Sequence, residues 1–370
     1  MKSTPFKAAL GKRYVMIVLP LLCLGLLVNV FWPDRETSAL ENRPLAKFPA
    51  WTPSFLDDLD LYFSDQFVGR DLAINANYLL KKLEGVREID NVYLGKGTLI
   101  QESMPYDASI VDRNMDALNA FRQTYPLNTM LMVVPTAASV EKDKLPPFVD
   151  TPTEALDDIF AKSGEGVTNI DVRPVFNDHK QERLYYKTDH HWTSLGASLA
   201  FEALAQSQGW TPAKATVYPL TKDFQGTLAS KTGSPFLKDD IDLYVPENIP
   251  EYVVTYGGDH KSRTMYDADA MDAKNKYEVF LGPNQGMVKI ECDNDSDRRL
   301  VLFKDSYANS LLQFLIPQYR TITIIDPRYY YDDIDRVMKS DLITDVLVVY
   351  NYSNFVSDAT LADVLSSANG

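Results

Sequence analysis

The sequence is short of cysteine, histidine and positive charge, and each shortage narrows what the chain can do. It holds two cysteines, Cys23 and Cys292, in 370 residues. Cys23 falls in an apolar N-terminal run and Cys292 in a strand-like run, so no disulfide is expected. There are four histidines. A metal site needs three or more ligands, and beyond His190 and His191 only His179 and His260 remain with the carboxylates, so no metal is expected. Lys and Arg number 37 against 51 Asp and Glu, for a formal net charge of -14. An acidic surface repels nucleic acid, and no DNA or RNA partner is expected. Internal repeats are absent.

One long apolar run exists. Lys2, Lys7, Lys12 and Arg13 precede an uncharged stretch from Tyr14 to Trp32. At roughly 1.5 Å per residue a helix of this length reaches about 28 Å, close to a hydrocarbon core of about 30 Å. Tyr14 and Trp32 stand at its edges, where aromatic belts lie. No small-residue cleavage pattern closes the run, and Leu21-Leu22 before Cys23 do not suit a lipoprotein site. The reading is a cytoplasmic tail over 1–13, an uncleaved transmembrane anchor over 14–32 and a catalytic body outside the cell membrane. A cleaved signal is the alternative. Residues 33–54, with Pro33, Pro44, Pro49 and Pro53, read as an extended stalk.

Beyond the stalk a domain over 55–370 is expected. Residues 55–84 have helical spacing, interrupted at Gly69-Arg70-Asp71. Val92-Tyr93-Leu94 and Thr98-Leu99-Ile100 predict a hairpin across Gly95-Lys96-Gly97. From about residue 110 strands and helices alternate: helix 112–125, strand 130–134, helix 153–162, strand 169–172, helix 194–208. Residues 210–297 read as a β-rich insertion lining one side of a cleft, with strands at 252–256, 277–281 and 288–290. The C-terminal part predicts strand 300–303, helix 308–315, strand 321–325, helix 333–339, strand 345–350 and helix 360–366. Apolar β-branched runs separated by helices imply an α/β fold with a parallel sheet covered on both faces. Ligands then bind at the carboxyl ends of the strands.

Two stretches carry chemistry. In Thr188-Asp189-His190-His191-Trp192 a carboxylate precedes two imidazoles and can orient one of them as a base. The adjacent histidines are expected to point in different directions. Far downstream, Lys304-Asp305-Ser306-Tyr307 follows a strand and opens a helix. A serine on that turn sits at the sheet's carboxyl edge, and backbone N–H groups at the helix start can face an oxyanion. Ser306 as nucleophile, His191 as base and Asp189 as its orienter form the expected site. Taken alone, a serine on such a turn is most often a helix cap, and Asp189 with His191 a structural turn. Arg328 and Tyr329, just past a strand, stand where a substrate could reach them. Tyr307 and His190 are further candidates, with packing or turn support as the plainer alternative.

Asp189-His190-His191-Trp192 is the motif for which the DHHW proteins are named. The chain also resembles them at Glu41-Asn42-Arg43-Pro44-Leu45-Ala46, Asp65-Gln66-Phe67-Val68-Gly69-Arg70-Asp71, Val92-Tyr93-Leu94-Gly95 and Lys304-Asp305-Ser306-Tyr307-Ala308-Asn309-Ser310. DHHW proteins look in turn like the alginate O-acetyltransferases of bacterial envelopes, which are SGNH-hydrolase-like. Those carry Asp-x-His-Trp before the nucleophilic serine, and the order here is the same.

The resemblance implies an SGNH-hydrolase-like fold and assigns the base to His191 over His190. It implies a Gly and an Asn completing an oxyanion hole, for which Gly226 and Asn351 are the candidates. It implies acyl transfer, acetyl above all, through Ser306 to a hydroxyl of an envelope or secreted polysaccharide. No cofactor is implied; the acyl group would come from a membrane-bound O-acyltransferase partner. Two alternatives stay open: an esterase acting on the same polymer, and a non-catalytic envelope scaffold of the same fold. Only about twenty residues follow the last predicted strand, so no separate carbohydrate-binding domain is expected.

Overall fold

Runs such as Thr129 to Val134 and Asp345 to Tyr350 are apolar on both alternating faces, which suits strands buried on both sides. The structure, a computed structural model, describes residues 5–150, 153–340 and 342–368. It divides after Glu84 into two units.

In the first unit, residues Pro5–Phe31 form a helix that covers 14–31 of the expected span 14–32. Among the described residues, no helix is long and apolar enough to cross a membrane. Residues 1–4 of the expected tail lie outside the described residues. The expected stalk contains a small antiparallel ribbon, Thr37–Ser38 with Arg43–Pro44. Helices Phe55–Gln66 and Arg70–Leu83 follow, separated at Gly69, whose φ of 85° suits glycine. Both helices belong to this unit, so the boundary falls at 84/85 where the sequence placed it at 54/55. The reason is a charge cluster. Arg43 grips the buried Asp65 through two hydrogen bonds of 2.9 and 2.5 Å, and Arg70 pairs with Glu41. Two of the quoted motifs thus meet in one knot that ties ribbon to helix.

The second unit is built on an eight-stranded sheet. Its strands are β1 (Asn128–Val134), β2 (Val167–Asn169), β3 (Tyr252–Tyr256), β4 (His260–Ser262), β5 (Met287–Cys292), β6 (Arg299–Lys304), β7 (Thr321–Ile325) and β8 (Asp345–Asn351). The order is β4-β3-β5-β7-β6-β8-β1-β2. From β7 to β2 all pairs are parallel; β4, β3 and β5 extend the β7 edge antiparallel. The sheet is therefore mostly parallel, and three strands of the expected insertion are part of it. The stretch 277–281, read as a strand, is largely a 3-10 turn, Lys276–Val279.

Helices cover both faces. They are α1 (Ala108–Thr124), α2 (Leu156–Ala161), α3 (Arg173–Asp178), α4 (Ser194–Gln208), α5 (Thr227–Thr232), α6 (Ala308–Leu315), α7 (Ile334–Ser340), α8 (Tyr352–Ser357) and α9 (Thr360–Ser367). Met130, Met132, Leu300, Leu302, Ile322 and Ile324 pack under α3, α4 and α6. Leu131, Val133, Val301, Phe303, Val346 and Val348 pack under α1, α2, α7, α8 and α9. Each such side chain contributes about 1.5–3 kcal/mol when fully buried, so the sheet is a rigid floor. The carboxyl ends of β6, β8 and β1 lie side by side on it.

Two smaller pieces stand at that end. A three-stranded sheet, Glu88–Ile89, Val92–Leu94 and Leu99–Gln101, packs Val92 and Leu99 against Leu228 and Ala229 of α5. A ribbon of Ala215–Phe224 with Asp239–Pro246 brackets α5. Cys23 and Cys292 are both free.

Candidate active site

The turn before α4 is fixed by a carboxylate from the ribbon. Buried Asp239 accepts hydrogen bonds from the Lys187 and Thr188 N–H groups and from the Thr188 hydroxyl, at 2.9, 2.8 and 2.6 Å. Thr193 caps α4 through the Gly196 N–H. Between these two fixed points lie Asp189, His190, His191 and Trp192.

The serine turn is fixed from the other side. Asp305, fully buried, accepts from the Tyr307 N–H at 2.9 Å, the Asn351 N–H at 2.8 Å and Asn354 Nδ2 at 2.7 Å. It therefore joins the carboxyl ends of β6 and β8, and Ser306 stands half-buried beside it. Because Asp305 engages the Tyr307 N–H, that backbone donor at the helix start is not free for an oxyanion.

The two turns meet. Ser306 Oγ lies 2.8 Å from His191 Nε2, and His191 Nδ1 lies 2.5 Å from Asp189 Oδ1. Asp189 Oδ2 accepts from the Thr227 N–H and hydroxyl at 2.8 and 3.0 Å. Burial alone would raise the Asp189 pKa. The two imidazoles beside it and the Thr227 N–H outweigh burial and hold it well below the usual carboxylate range. Ionised Asp189 then accepts Nδ1–H from His191, and Nε2 presents its lone pair to the serine hydroxyl. This is the tautomer a general base requires.

Two aromatic residues lock the meeting. The Trp192 indole donates to the Tyr307 carbonyl and to Ser310 Oγ, each at 2.9 Å. Tyr277 lies flat on the His191 ring, and its hydroxyl reaches the Ser306 carbonyl. Sequence reasoning gave Tyr277 no role, because its stretch was read as a strand. Thr227 was also missed; a Gly-Thr step before apolar Leu228-Ala229 is a helix-start signal that could have flagged it.

A cleft of about 250 Å³ opens beside the triad. Asp189, His190, Tyr307 and Asn351 line it, with Gln101, Glu102, Thr136, Ala137, Thr227, Leu228, Lys231, Ser353 and Asn354. Hydroxyl, amide and charged groups of both signs share this wall with apolar carbon from Ala137 and Leu228. Asn351 is 6% exposed. Its Oδ1 caps α8 by accepting from the Ser353 N–H at 3.0 Å, while Nδ2 has no partner among the described residues. A buried donor without a protein partner at a cleft wall is open to a water or a ligand atom.

The other candidates fall out as follows. Gly226 does not face the cleft as a donor: its N–H goes to Thr188 Oγ1 at 3.1 Å. Its need for glycine comes from Asp189, which a Cβ would meet at 2.3 Å. Arg328 is turned to Asp326, which it holds through bonds of 2.8 and 2.7 Å, with buried Lys304 at 3.3 Å on the same carboxylate. Tyr329 is 48% exposed, its ring beside the Arg328 guanidinium, and it does not line the cleft. Tyr307 is buried, and its hydroxyl donates to the His190 carbonyl.

His190 and His191 do not diverge. Their rings stand 4.0 Å apart at 35°. Burial, and then the neighbouring imidazole, push the His190 pKa down to about 3. Asp189, His190 and His191 offer ligand atoms within 4.8 Å of one another. Both His191 nitrogens, both Asp189 oxygens and His190 Nδ1 are already hydrogen-bonded within the site, so a metal ion there would have to displace the triad's own contacts.

Comparisons with known proteins agree with this architecture. The family model of the SGNH hydrolase-like domain of acetyltransferase AlgX matches residues 106–273. That range holds Asp189 and His191 and ends before Ser306. A DHHW family protein from Eubacterium siraeum is 25% identical, with a TM-score of 0.62 over 73% of this chain and 97% of that one. Bacillus cereus PatB1, solved with a sulfonyl adduct, is 20% identical with a TM-score of 0.61, over 73% and 97%. The O-acetyltransferase domain of Pseudomonas putida AlgJ is 13% identical with a TM-score of 0.48, over 75% and 99%. No curated protein matches the chain. Over residues 106–273 the chain is thus similar to the AlgX-type SGNH hydrolase-like domain, and a DHHW family protein is among its structural neighbours, as the motifs led one to expect.

Proposed function

We propose, for a chain that carries an AlgX-type SGNH hydrolase-like domain, that it transfers an acyl group, acetyl above all, to a hydroxyl of an envelope or secreted polysaccharide. The observation that carries this reading is the unbroken hydrogen-bond chain from Asp189 through His191 to Ser306, with Asp189 on the wall of a cleft.

Ser306 Oγ attacks the donor's acyl carbon and gives its proton to His191 Nε2. Ionised Asp189 stabilises the resulting imidazolium. Asn351 Nδ2 is the side-chain donor for the oxyanion. The leaving group departs with the proton from His191, and the acyl group stays on Ser306 as an ester. An acceptor hydroxyl then gives its proton to His191, bonds to the acyl carbon, and Ser306 leaves, recovering the proton. Water in the acceptor's place makes the same site an esterase. The residue set needs no cofactor for these steps.

The reading includes a location. Residues 14–32 anchor the chain in the cell membrane with the catalytic unit outside, and a membrane-bound O-acyltransferase supplies the acyl group. Alkaline extraction of membranes, together with protease access from the outside, tests the location.

For the chemistry, the full chain in detergent is mixed with a chromogenic acetyl ester. A burst of released chromophore and an acetylated Ser306 peptide are expected. Both vanish in Ser306→Ala and His191→Ala while melting temperature holds. Unchanged turnover in both variants sinks the reading. An oligosaccharide acceptor, with product mass measured, separates transfer from hydrolysis.

A further inference from the structure

His190 is the histidine that the triad leaves over, and the hydrogen bonds around it place a proton on its Nδ1. Its Nδ1 lies 2.9 Å from Thr227 Oγ1. The Thr227 hydroxyl lies 3.0 Å from Asp189 Oδ2. Asp189 is ionised and can only accept, and threonine has one hydroxyl proton. If that proton went to His190, two lone pairs would face each other at the Asp189 contact. The proton therefore goes to Asp189, and His190 Nδ1–H donates to Thr227 Oγ1. Burial and the neighbouring imidazole lower the His190 pKa to about 3, so the ring is neutral and its remaining nitrogen, Nε2, is a bare acceptor.

That acceptor is not used within the protein: His190 Nε2 has no hydrogen-bond partner among the described residues. The ring is about a third exposed and lines the cleft. It stands 4.0 Å from the His191 ring, centre to centre. The two imidazoles thus lie side by side, His191 with its Nε2 at Ser306 and His190 with its Nε2 bonded to no protein group among the described residues.

We propose that His190 is a specificity-determining residue: its Nε2 accepts a hydrogen bond from the hydroxyl adjacent to the one that attacks the acyl-serine, so that the site selects vicinal diols as acceptors. The inference rests on the acyl-transfer reading of Ser306. In the transfer step one hydroxyl of the diol gives its proton to His191 Nε2 and bonds to the acyl carbon. Its neighbour keeps its proton and donates to His190 Nε2. Ser306 Oγ departs and takes the proton from His191. No co-reactant is needed. Water and simple alcohols offer no second donor and leave His190 Nε2 unpaired, and a site built to receive a hydroxyl discriminates against ligands that lack it.

The test uses the full chain with a chromogenic acetyl ester and 1,2-propanediol, 1,3-propanediol and 1-propanol at equal concentration, with the products weighed by mass spectrometry. For the native chain, transfer to 1,2-propanediol should exceed transfer to the other two by roughly fivefold, the scale of one hydrogen bond. His190→Phe should bring that ratio to about one, the products being counted per acylated Ser306 so that a change in the burst cancels. His190→Gln, whose Oε1 replaces the Nε2 lone pair, should restore most of the preference. A burst without any preference in the native chain overturns the proposal and leaves the nucleophile intact. Equal loss of burst and of all three products in His190→Phe also overturns it, by making His190 a support of the triad. No burst and no acylated Ser306 in the native chain overturns both readings.

Discussion

The Tyr277 ring lies against the His191 ring with centroids 3.8 Å apart and planes 13° from parallel, while its hydroxyl donates to the Ser306 carbonyl at 3.1 Å. One side chain thus touches both base and nucleophile turn without lying in the chemistry. Tyr277→Phe should keep the ring contact and lose the hydroxyl's bonds, at a cost of about 0.5–1.5 kcal/mol in stability. Tyr277→Ala should cost about 3–5 kcal/mol and free the imidazole to turn. Thermal melts and ester turnover of both variants check this. Turnover should fall much further in the alanine variant than in the phenylalanine one.

Gly226→Ala should disable the site. The backbone there has an ordinary φ of -81°, so alanine is not strained by its own conformation. Its Cβ would nonetheless meet Asp189 Cβ and Oδ2 at 2.3 Å. The carboxylate must move off His191 Nδ1, and a displacement near 1 Å can cost roughly 10²-fold in rate. Turnover of the chromogenic ester should drop by that order. Native-like turnover would mean that Asp189 does not orient the base.

Asn351→Asp separates two roles of one side chain. The carboxylate keeps the α8 cap to Ser353 but has no N–H to offer. Turnover should fall by roughly 10²–10³, as for loss of one oxyanion donor, with melting temperature little changed. Asn351→Ala should lose the cap as well, at about 1 kcal/mol of stability. Undiminished turnover in the aspartate variant would remove Asn351 from the oxyanion site.

The first unit should be acid-sensitive through Asp65. The Arg43 hydrogen bonds, helped by the Ala46 N–H, overcome burial and lower its pKa to about 2, from an ordinary 3.8. A depressed carboxylate stabilises fully above the unfolded value, and that stability is lost as pH falls through the folded one. Limited proteolysis of residues 33–84 should therefore accelerate between about pH 3.8 and 2. Arg43→Met should remove the pH dependence and expose the segment at neutral pH.

Much of the second unit could be read before folding. Helices Ser194–Gln208 and Ala308–Leu315 and strand Thr321–Ile325 fall where spacing and caps put them, because burial and local propensity agree there. The meeting of Asp189, His191 and Ser306 was expected from the resemblance to the DHHW proteins, not from spacing, since the segments lie more than a hundred residues apart. The ribbon Ala215–Phe224 was not legible: most of its residues are exposed, and its register shifts between Pro219 and Thr221. Tyr277 escaped because its partner lies 29 residues away in Ser306 and the contact is purely tertiary. Arg328 was expected to reach the cleft from its place just past a strand, and the structure shows its guanidinium bonded to Asp326 two residues earlier. The charge knot of Arg43, Asp65 and Arg70 shows why prolines alone do not make a stalk.

The indole of Trp192 bolts the base-bearing turn to the nucleophile's helix before any ligand arrives. The weapon is therefore cocked at rest. Nothing has to click into place when a donor docks, so restraint must come from supply. On the proposed acyl-transfer reading, a loaded Ser306 waiting for its acceptor is exposed to hydrolysis for as long as it waits, and the lifetime of that ester, more than the speed of its formation, would set how much acyl is transferred.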